Sequence, residues 1–318
     1  MVAPKIDVII VNYNTAHLLG RMFASCESAA QGLQVRYWVV DNASRDDSVA
    51  VLRRDFPQAT VLVNDKNVGF GRANNQVVPH LTGEFVLLLN TDAFIAPDAL
   101  QVALKCMQAH PRCGAVGVRL TTEGGELEPS CRYFPTPWNV FLQRTGLFKL
   151  FTHTRMIDDF SWDHRGEREC DWVPGCFLLL RKQVIDQVGL FDPRYFLYYE
   201  EVDLCKRIKA AGWQVLYTGA TSAVHLGGES AKSDADITAT ARQISGLQVE
   251  SELLYMRKNH GVSGLVGYLV LVHVADVYIA LKELARRRGW VAAKVQFRRG
   301  RSARKACKQT HWGTVPTR

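Results

Sequence analysis

Glu84-Phe85-Val86-Leu87-Leu88-Leu89-Asn90-Thr91-Asp92-Ala93 carries the strongest fold signal in this 318-residue chain. A run of apolar residues, bounded by Thr82-Gly83 and closed by Asn90 and Asp92, predicts a strand buried on both faces. Such a strand belongs to a parallel or mixed sheet covered by helices. In open α/β sheets the carboxyl ends of the strands form the ligand crevice. A carboxylate at Asp92 is therefore placed to hold a metal ion and, through it, a phosphate.

The flanking sequence repeats the pattern. Ile6 to Val11, Val35 to Val40 and Thr60 to Val63 read as three earlier strands. Helices are expected from Thr15, as N-cap, to about Ser28, and from Ser44 or Asp46 to Phe56 before Pro57. Asn67 to Asn75 reads as a turn that opens a helix through His80, and Pro97-Asp98 begins another to His110. This alternation predicts an α/β protein with a doubly wound sheet. Cys113 to Leu120 and Trp172 to Leu180 are further expected strands, and Gln214 to Tyr217 a last short one. Between Thr121 and Glu169, Gly, Pro and aromatic residues predict a long irregular segment with at most one helix, Trp138 to Leu150. Val184 to Val188 and Leu204 to Ala211 are expected helices, the latter closed by Gly212. Helices are also expected over Ile237 to Asn259 and Leu265 to Leu284.

Ile6 to Val11 ends too soon for the apolar region of a secretory signal, so export is not expected. The eight cysteines form no CxxC pair and read as reduced thiols of a cytosolic protein rather than a zinc ribbon or a disulfide framework. The formal charge of +8 is concentrated: Lys282 to Arg318 holds twelve Lys/Arg against Glu283, a net +11, which leaves −3 for the rest.

Asn12/Asn14, Asp41 and Asn90/Asp92 all stand at strand ends. Any one of them is ordinary turn chemistry. Together they make a polar rim along one sheet edge. Glu200-Glu201-x-Asp203 opens a helix, where acids suit the macrodipole, or where one of them serves as a general base. His225, beside Gly227-Gly228, is placed to contact a metal or phosphate.

Val11-Asn12-Tyr13-Asn14, Val40-Asp41-Asn42-Ala43-Ser44, Asn67-Val68-Gly69-Phe70-Gly71-Arg72-Ala73-Asn74-Asn75 and Leu89-Asn90-Thr91-Asp92 resemble the inverting family 2 glycosyltransferases of GT-A fold, in their bacterial rhamnosyltransferase-like branch. Trp172-Val173-Pro174-Gly175-Cys176, Tyr199-Glu200-Glu201-Val202-Asp203-Leu204 and His225-Leu226-Gly227-Gly228-Glu229-Ser230 extend the likeness over about residues 5 to 230. The resemblance implies a Rossmann-like, doubly wound mixed sheet over residues 1–230, with 121–170 on the acceptor side. A helical, basic extension follows at 231–318.

It also implies roles. Asn12, Tyr13, Asn14 and Asp41 surround the nucleotide, and Asn67, Gly69 and Arg72 form the turn that approaches it. Asn90, Thr91 and Asp92 take the place of the DXD motif. Asp92 and His225 hold Mg²⁺ or Mn²⁺, Glu201 is the catalytic base, and Trp172, Gly175 and Glu200 lie on the acceptor side. Asn90 departs from the family's first acid, and a neutral amide weakens a hard-cation site. The implied reaction is direct displacement with inversion. The implied donor is a nucleotide sugar, dTDP-rhamnose ahead of other UDP- or dTDP-sugars. The implied acceptor is a bacterial cell-surface glycan or lipid-linked oligosaccharide.

Gly264 to Leu281 is nearly long enough to span a bilayer, but Asp276 within it is costly there. An interfacial or packed helix is expected instead. The basic tail with Trp290, Phe297 and Trp312 fits an anionic membrane surface, at the inner face of the cytoplasmic membrane. The competing reading is a solvated tail. No nucleic-acid partner is expected, since the core holds no motif for one. A nucleotidyltransferase would want a Gly-rich basic loop after the first strand, where Asn12-Tyr13-Asn14-Thr15-Ala16 stands. A binding module without activity is the non-enzymatic rival.

Overall fold

The structure, a computed structural model, describes residues 5–228, 246–286, 290–291, 294 and 296–318. These fall into two compact units. The first holds residues 5–132, 158–193 and 200–228, and the second holds 133–157, 194–199 and the described residues from 246 onward.

The first unit is built on a mixed sheet. Its elements run β1 (Lys5–Asn12), α1 (Ala16–Ala29), β2 (Gln34–Asp41), α2 (Ser48–Asp55), β3 (Ala59–Val63), α3 (Phe70–Asn75), β4 (Phe85–Asn90), β5 (Ala93–Ile95), α4 (Ala99–Ala109), β6 (Cys113–Thr121) and β7 (Leu127–Glu128). α5 (Pro137–Thr145) belongs to the second unit. β8 (Glu167–Cys170), β9 (Phe177–Arg181), α6 (Lys182–Val188), α7 (Glu200–Ala210) and β10 (Gln214–His225) complete the first. The strand order is β3-β2-β1-β4-β9-β6-β10-β5, with β7 beside β6 and β8 beside β10. β1 to β4 are mutually parallel, and β9 lies antiparallel between β4 and β6.

β4 is buried on both faces as its sequence predicts: Phe85 to Leu89 are at most 1% exposed. Phe85, Leu87 and Leu89 join Ile6, Ile10, Leu19, Phe23 and Met107 in one core cluster. Each such side chain contributes about 2 kcal/mol of burial. Asp7 locks the other end of β1. Its carboxylate accepts from Arg36 Nε (2.7 Å), Trp38 Nε1 (3.1 Å) and the backbone N–H groups of Thr82 (2.9 Å) and Gly83 (2.6 Å). Burial disfavours the Asp7 charge, but these donors outweigh it and hold the carboxyl below its ordinary range.

Several boundaries differ from the sequence expectation. Trp172 to Cys176 is not strand; β9 begins at Phe177, after Pro174-Gly175 break the ladder. β10 runs to His225 rather than stopping at Tyr217, because a register shift between Thr218 and Ser222 lets it continue through Gly219. The segment from Thr121 to Glu169 contains β7 and part of β8, both too short to show periodicity. Thr15 occupies the N-cap of α1 but makes no capping bond. Asp46 instead accepts from Ala16 N (2.9 Å) and from Ser48 N (3.1 Å), serving the starts of α1 and α2 together.

The second unit is helical. α5 (Pro137–Thr145) starts in a capping box between Thr136 and Asn139 and ends on Gly146 at φ 76°. α8 (Gly246–Ala285) is broken at Gly261 (φ 69°, ψ −166°), so its described residues form two helical stretches on either side of that glycine, as the sequence predicts. α9 (Arg298–Gln309) turns part of the basic tail into ordered helix, buried against the unit through Gly300, Ala303, Ala306 and Cys307. Asp276 pairs with Arg144 and accepts from Gly300 N (3.0 Å). Glu252 accepts from Tyr268 Oη (2.8 Å) and Arg299 (2.6 Å). Of the expected features, Glu229, Ser230, residues 237–245 of one helix and Arg287-Arg288 of the tail lie outside the described residues.

Candidate functional site

The carboxyl ends of β1, β2 and β4 are tied by polar side chains. Asn12 Nδ2 donates to Asp41 Oδ2 (2.8 Å) and Ser44 Oγ (3.0 Å). Ser44 N donates to Asp41 Oδ1 (3.0 Å), and Asn14 N donates to Ser44 Oγ (2.9 Å). Thr15 Oγ1 lies 2.7 Å from Asn12 Oδ1 and 2.9 Å from Thr91 Oγ1. A hydroxyl has one proton, so Thr15 donates to the amide oxygen and accepts from Thr91. Both Asp41 oxygens thus already accept one bond, leaving each a further lone pair for a ligand. Asn14 (φ 52°) and Ala43 (φ 67°) are left-handed, a backbone cost concentrated at these strand ends. Tyr13 is buried beside them.

Asn42 links this rim to the next turn. Its Nδ2 donates to Asn67 Oδ1 (2.8 Å), and its Oδ1 accepts from Val68 N (3.0 Å) and Asn64 Nδ2 (3.1 Å). Asn67 Oδ1 also accepts from Gly69 N (2.9 Å). Gly69, at φ 89°, occupies a conformation that only glycine adopts without strain, and it leads into α3. Arg72 is engaged elsewhere: its Nε donates to Pro193 O (2.8 Å). Asn75 brackets the same turn, donating to Phe191 O (2.7 Å) and accepting from Phe191 N (2.9 Å).

Asp92 and His225, far apart in sequence, meet because β5 starts right after Asp92 and pairs with the end of β10, His225 opposite Ala93. His225 Nε2 lies 3.6 Å from Asp92 Oδ1, and Nδ1 lies 2.9 Å from Glu128 Oε2. Burial works against the imidazolium, but the Glu128 hydrogen bond and the Asp92 and Glu128 charges outweigh it, and the His225 pKa is raised. Asn90 Oδ1 is buried without a hydrogen-bond partner. An unpartnered amide oxygen two residues before Asp92, with the Asp92 carboxylate and the His225 imidazole, is a donor set whose chemistry fits a divalent cation.

Glu201 sits in the first turn of α7, which the chain enters through Tyr198 (φ 71°) and Tyr199 (φ 70°). Its Oε2 is buried and unpartnered. Burial pushes its carboxyl above the ordinary range, against backbone N–H groups of Glu201, Val202 and Gly175 and the charge of Arg132. A Cβ on Gly175 would stand 3.7 Å from the Glu201 Cβ and 3.8 Å from Phe70. Trp172 is buried, with the Arg132 guanidinium 4.5 Å above its ring. Glu200 is buried at the helix start.

One buried sulfur shows how these parts converge. The Cys176 thiol is pushed well up, first by burial and then by the charges of Glu128, Asp92 and Glu201. Asn90 N donates to Cys176 O (3.2 Å). Gly175, packed against Glu201, and Cys176, bonded to Asn90, therefore bring Glu201 to the strand ends where Asp92 and Glu128 flank His225. Asn42 was readable as an amide directly after a strand. Glu128 and Arg132 carry no sequence signal, since each lies in or beside a strand or bridge of one or two residues.

Residues 7–166, half of the chain, match the sequence profile of glycosyl transferase family 2. The chain belongs to that family. This glycosyltransferase is 28% identical over 237 residues to N-acetylglucosaminyl-diphospho-decaprenol L-rhamnosyltransferase of Mycobacterium tuberculosis (strain H37Rv), covering 69% of this chain and 75% of that one. It is 28% identical over 165 residues to rhamnosyltransferase WbbL of Escherichia coli (strain K12), covering 49% and 60%. These relatives set it in the rhamnosyltransferase-like branch. Mannosyltransferase PcManGT from Pyrobaculum calidifontis, solved in complex with GDP-Man and Mn²⁺, shares its fold with a TM-score of 0.55 at 16% identity over 99% of this chain and 89% of that one. The fold of the glycosyltransferase is GT-A.

Proposed function

We propose that this glycosyltransferase transfers a sugar, with inversion, from a nucleotide sugar to a hydroxyl of a cell-surface glycan or lipid-linked oligosaccharide. The Asp92–His225–Glu128 cluster, with Glu201 held beside Gly175 at the neighbouring strand end, carries the proposal. Glu201 is the base. Its unpartnered Oε2 accepts the acceptor's hydroxyl proton as that oxygen attacks the anomeric carbon. Its raised pKa suits a base that must take up the acceptor's proton. Asn12, Tyr13, Asn14, Asp41, Asn67 and Gly69 line the nucleotide side, with Arg72 and Thr91 bracing it. Trp172, Gly175 and Glu200 lie toward the acceptor.

Asn90, Asp92 and His225 would hold Mg²⁺ or Mn²⁺, which supplies charge neutralisation for the leaving diphosphate. Glu128 orients His225 through Nδ1, so that Nε2 presents its lone pair toward Asp92. The names of the relatives favour dTDP-rhamnose as donor and a polyprenyl-diphosphate-linked sugar as acceptor. A panel of sugar nucleotides, scored by nucleoside diphosphate release with and without Mn²⁺, tests the reading. Release with dTDP-rhamnose above the other donors supports it. Release with none would leave a nucleotide-binding module.

A membrane-surface partner at the cytoplasmic face is part of the proposal, favoured by α8. Val262, Val266, Val270, Val274, Val277 and Leu281 are 42–61% exposed. At 3.6 residues per turn they fall within about 120° of the helix circumference and span roughly 28 Å. Such a stripe is an interaction surface. The helix is long and apolar enough to cross a membrane by length and composition. Asp276 and Glu283 on it are nevertheless buried, and Asp276 is paired with Arg144, which favours lying on a bilayer over spanning one. The basic face of α9, with Arg298, Arg301, Arg304, Lys305 and Lys308 exposed, complements anionic headgroups. Sedimentation with phosphatidylglycerol vesicles tests this. Val266→Asp with Val270→Asp should release the protein; unchanged binding would remove the stripe as the docking face.

A further inference from the structure

The C-terminal end of α4 holds a cluster that the transfer reaction does not use. Cys106 and His110 stand four residues apart, so they share one face of the last turn. Glu167 opens β8, which runs antiparallel to β10 with Glu167 opposite Thr218. One ligand atom from each of these three residues lies within 4.8 Å of the other two. His225, by contrast, is at the far end of β10. We propose that Cys106, His110 and Glu167 form a second metal site, selective for zinc over Mg²⁺ and Mn²⁺.

The donor chemistry sets the selectivity. Thiolate and imidazole favour zinc, whereas Mg²⁺ and Mn²⁺ favour all-oxygen sets. The donor set at Asn90, Asp92 and His225 is harder and contains no sulfur. The geometry needs little change: tetrahedral zinc places its ligands about 3.5 Å apart. Contraction by about 1 Å is within reach of an exposed Glu167 side chain. Solvent on that open side would supply the fourth ligand.

His110 is already oriented. Its Nδ1 lies 2.9 Å from the Cys106 carbonyl oxygen, which can only accept. Nδ1 is therefore the donor, which leaves Nε2 as the nitrogen for a metal, as in metal-bound histidines that donate to a carbonyl. The negative end of the α4 dipole adds to the attraction for a cation. Without metal the thiol is inert, its pKa pushed up to about 12 by burial and then by the Glu167 charge. Binding replaces that proton: Zn²⁺ takes the sulfur lone pair and one proton goes to solvent, so affinity rises with pH. The ion would staple α4 to β8 and raise the melting temperature.

Cobalt titration of the metal-free full-length protein tests the site. A thiolate-to-cobalt charge-transfer band in the near ultraviolet is expected at one ion per chain, with zinc displacing the cobalt. Cys106→Ser should abolish the band, and His110→Ala and Glu167→Gln should each weaken binding at least tenfold. Asp92→Ala should retain the band, which separates this site from the one assigned to transfer. Nucleoside diphosphate release by Cys106→Ser should stay at the parent level in Mn²⁺. If Cys106→Ser does not fold, the other two variants decide. No band, a band that survives in folded Cys106→Ser, or unchanged affinity in both His110→Ala and Glu167→Gln overturns the assignment.

Discussion

Glu128→Gln isolates the part of the site that sequence could not supply. Glu128 Oε2 lies 2.9 Å from His225 Nδ1, and the Gln side chain keeps an acceptor there while removing the charge. A hydrogen bond to a charged partner is worth about 1.5–3 kcal/mol. The Glu128 side chain is 38% exposed, so solvent screening puts the loss toward the lower end. Loss of an outer partner to a ligating histidine costs 10–100-fold in metal affinity. The screening argues for about tenfold, or roughly 1.4 kcal/mol. Two assays read it. In nuclear magnetic resonance of the metal-free protein, the His225 titration midpoint should fall in the variant. In nucleoside diphosphate release, the Mn²⁺ concentration for half-maximal rate should rise about tenfold. The raised His225 pKa also stabilises the parent fold at low pH, an effect lost as pH rises through the folded-state value. The variant should show a smaller acid-side gain. An unmoved His225 titration would refute the assigned contact, and an unmoved Mn²⁺ requirement would refute the role of His225 as ligand.

Asp7→Asn should cost about 2–4 kcal/mol in urea unfolding, because an amide cannot accept from all the donors around Asp7. The Asp7 carboxyl is depressed, so its contribution is present above the unfolded-state pKa and fades as pH falls through the folded one; the variant should have a flatter acid limb. Gly117→Ala should destabilise by about 1–3 kcal/mol and lower activity. The new Cβ would stand 2.5 Å from the Val173 Cβ, which is fixed to backbone and can yield only by moving the Trp172 to Cys176 segment. The pH profile of kcat/KM should fall on its acid side above the ordinary carboxylate range, since Glu201 must be ionised to act and burial raises its pKa; a limb within the ordinary range would contradict that environment.

The first half of the fold was legible because its strands are long apolar runs that end on Asn or Asp, and the polar rim of Asn12, Asp41 and Asp92 follows from that spacing. What stayed hidden depends on very short pairings. β5 has three residues and β7 two, too few for any periodicity, yet β5 brings His225 to Asp92 and β7 brings Glu128 to His225. β10 was cut short because its register shift interrupts the ladder near Gly219. Glu201 was named from the family resemblance of Tyr199 to Leu204, while its raised pKa depends on burial, opposed by Arg132, and only the tertiary structure supplies both. Thr15 shows the opposite case: its side chain suits a helix cap, but in the fold it serves the strand-end network instead.

The most direct test is single-turnover transfer by Glu201→Gln, measured as nucleoside diphosphate release from the preferred donor in Mn²⁺, alongside donor affinity by calorimetry. Loss of a positioned general base predicts a rate lower by about 10²–10⁴ with donor affinity unchanged. A rate near that of the parent protein in the folded variant would contradict the account.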